Sequence, residues 1–106
     1  MPSALGEKIR NLRKELGLTL DQLADDTGSS KSYIWELENK NPPRPSAEKL
    51  IKIADRLQTT IEFLLDDGDA VTKEDAADAS FYREYKKMTP ETKEEFRAMV
   101  KVFKDK

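Results

Sequence analysis

Leu18–Asn39, LTLDQLADDTGSSKSYIWELEN, reads as two short helices joined by a tight turn. Thr19-Leu-Asp-Gln22 has the form of a capping box. In such a box the Thr hydroxyl accepts the Gln amide proton and the Gln side chain reaches back to the Thr backbone. Leu20, Leu23 and Ala24 share one helical face, and Gly28 ends the run where a residue without Cβ closes a helix at no steric cost. Ser30 is the natural N-cap of a second helix, over 30–38, whose Ile34 and Leu37 point inward. Ala24 is small where two steeply crossed helices would come closest.

On the amino side, Leu5, Ile9, Leu12 and Leu16 form one apolar stripe of a helix over 4–16, with Ser3 as its cap and Gly17 just past its end. Lys8, Arg10, Arg13 and Lys14 make this the most basic segment of the chain; for Lys8 and Arg10 the plain reading is a solvated helix face. On the carboxyl side, NKNPPRP (39–45) cannot be helical, because proline forces extended backbone before it. Ser46 then caps SAEKLIKIADRL, with Leu50, Ile53, Ala54 and Leu57 inward. Thr60 caps a brief helix in which Ile61, Leu64 and Leu65 close the core. The expected architecture is all-α, with five helices in residues 1–66.

Residues 67–71 read as a linker, since the acidic run DDGDAV lacks the alternating ligands and closing Glu of a calcium loop. Beyond it, Thr72 begins a helix that carries Ala77, Phe81, Tyr85 and Met88 on one face. Thr89-Pro90 restarts a second helix with Phe96, Met99, Val100 and Phe103 at helical spacing. Residues 72–106 are therefore expected to form a helical hairpin with an aromatic face, too small to bury that face alone. Packing on the first helices, on a second copy or on another protein would cover it; self-association is favoured, because most soluble oligomers are symmetric homo-oligomers.

Composition narrows the chemistry. Among 106 residues there is no Cys and no His, which removes disulfides, thiolate chemistry and the commonest general base and metal ligand. Acids and bases alternate at helical spacings, as on solvated faces, and Gly6, Gly17, Gly28 and Gly68 stand singly at helix edges or turns rather than in a phosphate loop. No enzyme activity, cofactor or metal is expected. With no signal peptide and no apolar run of membrane-spanning length, a cytoplasmic protein without membrane contact is the default. The net charge is −2, and residues 1–66 carry 10 basic against 11 acidic groups. A nucleic-acid partner would have to be met by a local patch on a near-neutral body.

The helix-turn-helix arrangement supplies such a patch, because its first helix sits over the DNA backbone and its second enters the major groove. Exposed amide protons behind Thr19 could meet a phosphate; Ser30, Lys31, Ser32, Trp35 and Glu36 lie at the start and outer face of the second helix; Asn39, Lys40 and Arg44 supply donors and cations just beyond.

Residues 5–65 resemble the helix-turn-helix domain of the phage repressor and Cro (XRE-type) regulators. The match lies in L-G-L-T (16–19), Q-L-A (22–24), the turn glycine, S-x-S-Y-I (30–34), L-E-N (37–39), P-S-x-x-x-L (45–50) and F-L-L (63–65). A hairpin after the domain is similar to members that dimerise through their last helices. The resemblance implies base contacts by Lys31, Ser32, Trp35 and Glu36, and backbone contacts by Thr19, Ser30, Tyr33, Asn39, Lys40 and Arg44. It implies an ion pair between Arg13 and Glu38 that orients the reading helix, and dimerisation through Phe81, Tyr85, Met88, Phe96, Met99, Val100 and Phe103. Three positions depart from the family pattern: Leu20 replaces a common Gln, Lys40 stands where Gly is usual, and Trp35 is bulky for a groove face. Trp35 either meets a thymine methyl or packs on Pro42 and Pro43, and Glu36 either accepts from a cytosine amine or rejects wrong sequences.

The expected function is a transcriptional regulator, a repressor that binds a palindromic operator in double-stranded DNA as a homodimer. The alternatives are an antitoxin that holds a toxin through residues 72–106, and an adaptor that uses the fold for protein contacts. A further protein partner, a toxin or an antirepressor, belongs to the same expectation.

Overall fold

Each helix begins where a hydroxyl holds an amide proton of its first turn. The computed structural model describes residues 3–68 and 70–105; Met1, Pro2, Asp69 and Lys106, which fall in the expected first, linker and last segments, lie outside the described residues. Seven helices and no strand occur among the described residues: α1 (Ala4–Glu15), α2 (Leu20–Asp26), α3 (Lys31–Asn39), α4 (Ala47–Arg56), α5 (Ile61–Leu65), α6 (Lys73–Lys86) and α7 (Pro90–Lys104). Their caps are Ser3, Thr19, Ser30, Ser46, Thr60, Thr72 and Thr89, each accepting from the amide three residues on. The Thr19–Gln22 box is complete in both directions. Gly17 and Gly28 leave their helices at φ +69° and +66°. α4 exits through Gln58 at φ +57°, a left-handed residue with a side chain. Lys40 at the end of α3 is extended (φ −119°, ψ −168°), so a lysine serves where the family usually has glycine.

The first five helices close around Ile9, Leu12, Leu23, Ala24, Ile34, Leu37, Ile53, Ala54, Leu57 and Leu64. α1 crosses α3 so closely that a Cβ on Gly6 would fall 2.1 Å from the Leu37 carbonyl oxygen. Gly6 is thus a packing glycine, and the expectation of a mere helix-edge position is corrected. Lys8 is corrected as well: its Nζ donates to the Phe63 and Asp66 carbonyls at 2.7 and 2.5 Å and lies 4.6 Å from the Phe63 ring centre. It serves the carboxyl end of α5, where cations are favoured by free carbonyls and the helix dipole, and not a solvated face.

α6 uses two faces. Ala76 and Ser80 are buried, Arg83 donates to the Thr59 carbonyl at 3.2 Å and pairs with Asp55 at 2.8 Å, and Lys73 pairs with Glu15 on α1. Ala77, expected on the aromatic face, is exposed. Phe81 and Tyr85 turn instead to Phe96 of α7, with ring centres 5.5 and 5.9 Å apart. The hairpin is therefore docked on the first helices by one side of α6 and braced internally by another. It also lengthens the molecule: the radius of gyration is 15.9 Å, against about 13 Å for a compact chain of this size.

Candidate nucleic-acid interface

α3 divides cleanly between inside and outside. Ile34, Leu37 and Glu38 are buried, while Lys31, Ser32, Trp35 and Glu36 are exposed and line one shallow concavity. All four expected base-reading residues therefore share a surface, as the helical period requires of positions one, two, five and six of a helix.

The cap residues retain capacity for an outside acceptor. Ser30 Oγ accepts from the Tyr33 amide at 3.1 Å, which leaves its hydroxyl proton free to donate. Thr19 Oγ1 accepts from the Gln22 amide at 3.1 Å, and the Thr19 amide donates to Gln22 Oε1 at 2.8 Å. The capping box thus occupies the Gln22 amide, one of those expected to face phosphate, and leaves the Leu20 and Asp21 amides and the Thr19 hydroxyl as donors at that point. Tyr33 is partly buried, and burial raises its phenol above the ordinary range, so it stays a neutral donor. Asn39 spends one amide proton on the Trp35 carbonyl at 2.9 Å and keeps the other. Lys40 Nζ lies 5.8 Å from the Trp35 ring centre, and Trp35 keeps 44% of its surface exposed, so the ring is braced by the lysine and still accessible. Arg44 is not brought into this concavity; it lines a separate depression with Ser3, Leu5, Asn41 and Pro42.

Two devices aim α3. Arg13 Nε and Nη2 donate to the two Glu38 oxygens at 2.7 and 2.9 Å, and Nη1 donates to the Leu18 carbonyl at 2.9 Å. The carboxylate is 1% exposed and the guanidinium 11%. The Glu38 hydrogen bonds chiefly raise the Arg13 pKa above its ordinary value, with burial opposing. The second device is Lys49 of α4, whose Nζ reaches Ser29 Oγ at 2.9 Å and the Gly28 and Thr27 carbonyls at 3.1 and 3.4 Å. It staples the turn between α2 and α3, beside the buried Thr27 hydroxyl that donates to the Leu23 carbonyl at 2.7 Å. Sequence reasoning missed Lys49, because a cation on the polar side of an amphipathic helix carries no local mark of a distant turn. Asp21 was missed likewise; it pairs with Lys31 at 3.6 Å.

No cluster of three or more potential metal ligands occurs among the described residues, and no helix there is long and apolar enough to cross a membrane.

Five helices around a capped α2–turn–α3 unit, with a polar groove-sized face on α3, define a helix-turn-helix module. The helix-turn-helix family model matches residues 9–64, and the chain belongs to that family. Residues of this chain are 35% identical over 63 positions to the transcriptional regulator SinR of Bacillus subtilis, covering 59% of this chain. The chain spans 57% of that relative's length. Among solved structures, SinR in complex with DNA is 35% identical and superposes with a TM-score of 0.55, over 58% of this chain and 98% of that one. A complex of SinR with SinI is 27% identical, with a TM-score of 0.57, over 96% of this chain and 99% of that one.

Proposed function

We propose that this protein is a sequence-specific, double-stranded DNA-binding transcriptional regulator that represses by occupying a palindromic operator as a dimer. The observation that carries the reading is the concavity of Lys31, Ser32, Trp35 and Glu36 on α3, held at a fixed angle by the Arg13–Glu38 pair. Lys31 is the guanine reader, Ser32, Trp35 and Glu36 contact neighbouring bases, and Thr19, Ser30, Tyr33, Asn39, Lys40 and Arg44 grip the backbone. The near-neutral charge fits a protein whose affinity comes from a local patch. Selection of bound sequences from a random duplex pool, followed by titration at two salt concentrations, tests this reading. Lys31→Ala is expected to weaken discrimination at one base pair by about 1–3 kcal/mol. Equal affinity of the wild type for all sequences would overturn the reading.

The dimer rests on residues 72–106. Phe81, Met99 and Val100 are each about half exposed or more, and an exposed apolar patch of this kind marks an interaction site. A second copy fits, because two half-sites about 34 Å apart call for a two-fold arrangement. Residues 1–66 form the reading head and 67–71 the connection. Met99→Asp is expected to shift the sedimenting species from dimer to monomer while the helical signal is kept. A wild type that stays monomeric at all concentrations would assign the face to another protein; the SinR–SinI complex is an example of a relative that assembles with another protein.

A further inference from the structure

Lys31 does not stand free on α3. Its Nζ lies 3.6 Å from Asp21 Oδ2 on α2, and both side chains are well exposed, at 61% and 67%. An acid on the helix that lies over the DNA backbone is unexpected, since phosphates repel it. Its place at the first turn of α2 suits the helix dipole, yet that would be served equally by an acid pointing away from Lys31. We propose that Asp21 is a specificity-determining residue, which holds Lys31 away from phosphates until a base acceptor replaces the carboxylate. The proposal rests on the DNA-binding reading above.

The strength of the pair suits this role. An exposed ion pair is worth about 0.2–1 kcal/mol, a bias of roughly 1.4- to 5-fold. That is weak enough for a guanine edge, which offers two acceptors at fixed geometry, to displace it. On non-cognate DNA no guanine edge is offered to Lys31 in the groove, so the proposed gate keeps it with Asp21, away from phosphate, and the complex releases one counterion fewer. Discrimination therefore comes from suppressing the wrong complex as well as from stabilising the right one.

The test uses the full chain and its selected operator against a scrambled duplex, over a salt series. Asp21→Asn is expected to raise scrambled-duplex affinity several-fold more than operator affinity, and to steepen the scrambled-duplex salt slope by about 0.9, one added phosphate contact. The operator slope stays unchanged. In a Lys31→Ala background Asp21→Asn should change both affinities equally, because the gate has nothing to hold. An equal gain on both duplexes in the wild-type background, or a gain that persists undiminished without Lys31, overturns the gate and leaves only a general charge effect. Absence of any sequence preference in the unmutated protein would instead sink the DNA-binding reading, so the two failures are distinguishable. A single cooperative thermal transition for Asp21→Asn, lowered by no more than several degrees for the lost first-turn charge, shows that the fold is preserved.

Discussion

Gly6→Ala is expected to destabilise the protein by about 2 kcal/mol, although alanine is the better helix former. The added methyl would lie 2.1 Å from the Leu37 carbonyl oxygen and 3.3 Å from the Glu38 Cα. Both obstacles are backbone, so no side chain can swing aside and α1 must move off α3. Overpacking of this kind costs about 1–3 kcal/mol and sometimes more, while alanine returns roughly 0.5–1 kcal/mol of helix preference. The steric term wins, because a contact a full ångström inside normal separation cannot be relieved locally. Urea unfolding should show a lower midpoint at unchanged slope. Gly68→Ala, where a Cβ meets nothing within 4 Å, serves as the control. A Gly6→Ala protein as stable as the wild type would mean that the two helices do not approach as described.

Arg13→Met is expected to cost about 3–5 kcal/mol, the usual consequence of leaving a buried charge without its partner. The Glu38 carboxylate is 1% exposed, and both of its hydrogen bonds come from Arg13. The same change also frees the Leu18 carbonyl at the entry to α2. The double variant Arg13→Met/Glu38→Leu should recover most of that loss, since an apolar pair of similar volume no longer carries a desolvated charge. If the double variant is destabilised by the sum of the two single losses, the pair is not coupled and the orienting role fails. Arg13 is a cation whose folded pKa is raised. Its contribution is complete below the unfolded value and is lost only as pH climbs through the folded one, so it adds no pH dependence near neutrality.

Local signals carried most of the fold. Ser and Thr at Ser3, Thr19, Ser30, Ser46, Thr60, Thr72 and Thr89 are the caps that the sequence pattern requires, because capping acts over three residues and leaves its mark there. The outer face of α3 was legible for the same reason: once Ile34 and Leu37 face inward, the helical period leaves Lys31, Ser32, Trp35 and Glu36 outside. Contacts between residues distant in the chain were not legible. Gly6 meets Leu37 across 31 positions, Lys49 reaches the turn 20 to 22 residues away, and Lys8 reaches the end of α5 from the opposite end of the domain. Arg83 resembled any surface cation, yet it reaches Thr59 and Asp55. The Arg13–Glu38 pair was legible only through family resemblance, since no spacing rule links positions 13 and 38.

The seating of α6 bears on how two reading heads would act together in the proposed dimer. With Arg83 on Thr59 and Asp55, and Lys73 on Glu15, the hairpin is an arm of fixed angle and not a tether. In a dimer joined at the hairpins, a loose connection would spread the second head over many positions and dilute its effective concentration at the second half-site. A seated arm confines that head to one spacing, and the entropy of alignment is spent when the chain folds rather than when it meets DNA. In the proposed dimer the half-site separation would then be set by the α6 contacts, and a one-base-pair change in it would be felt as strain in the arm.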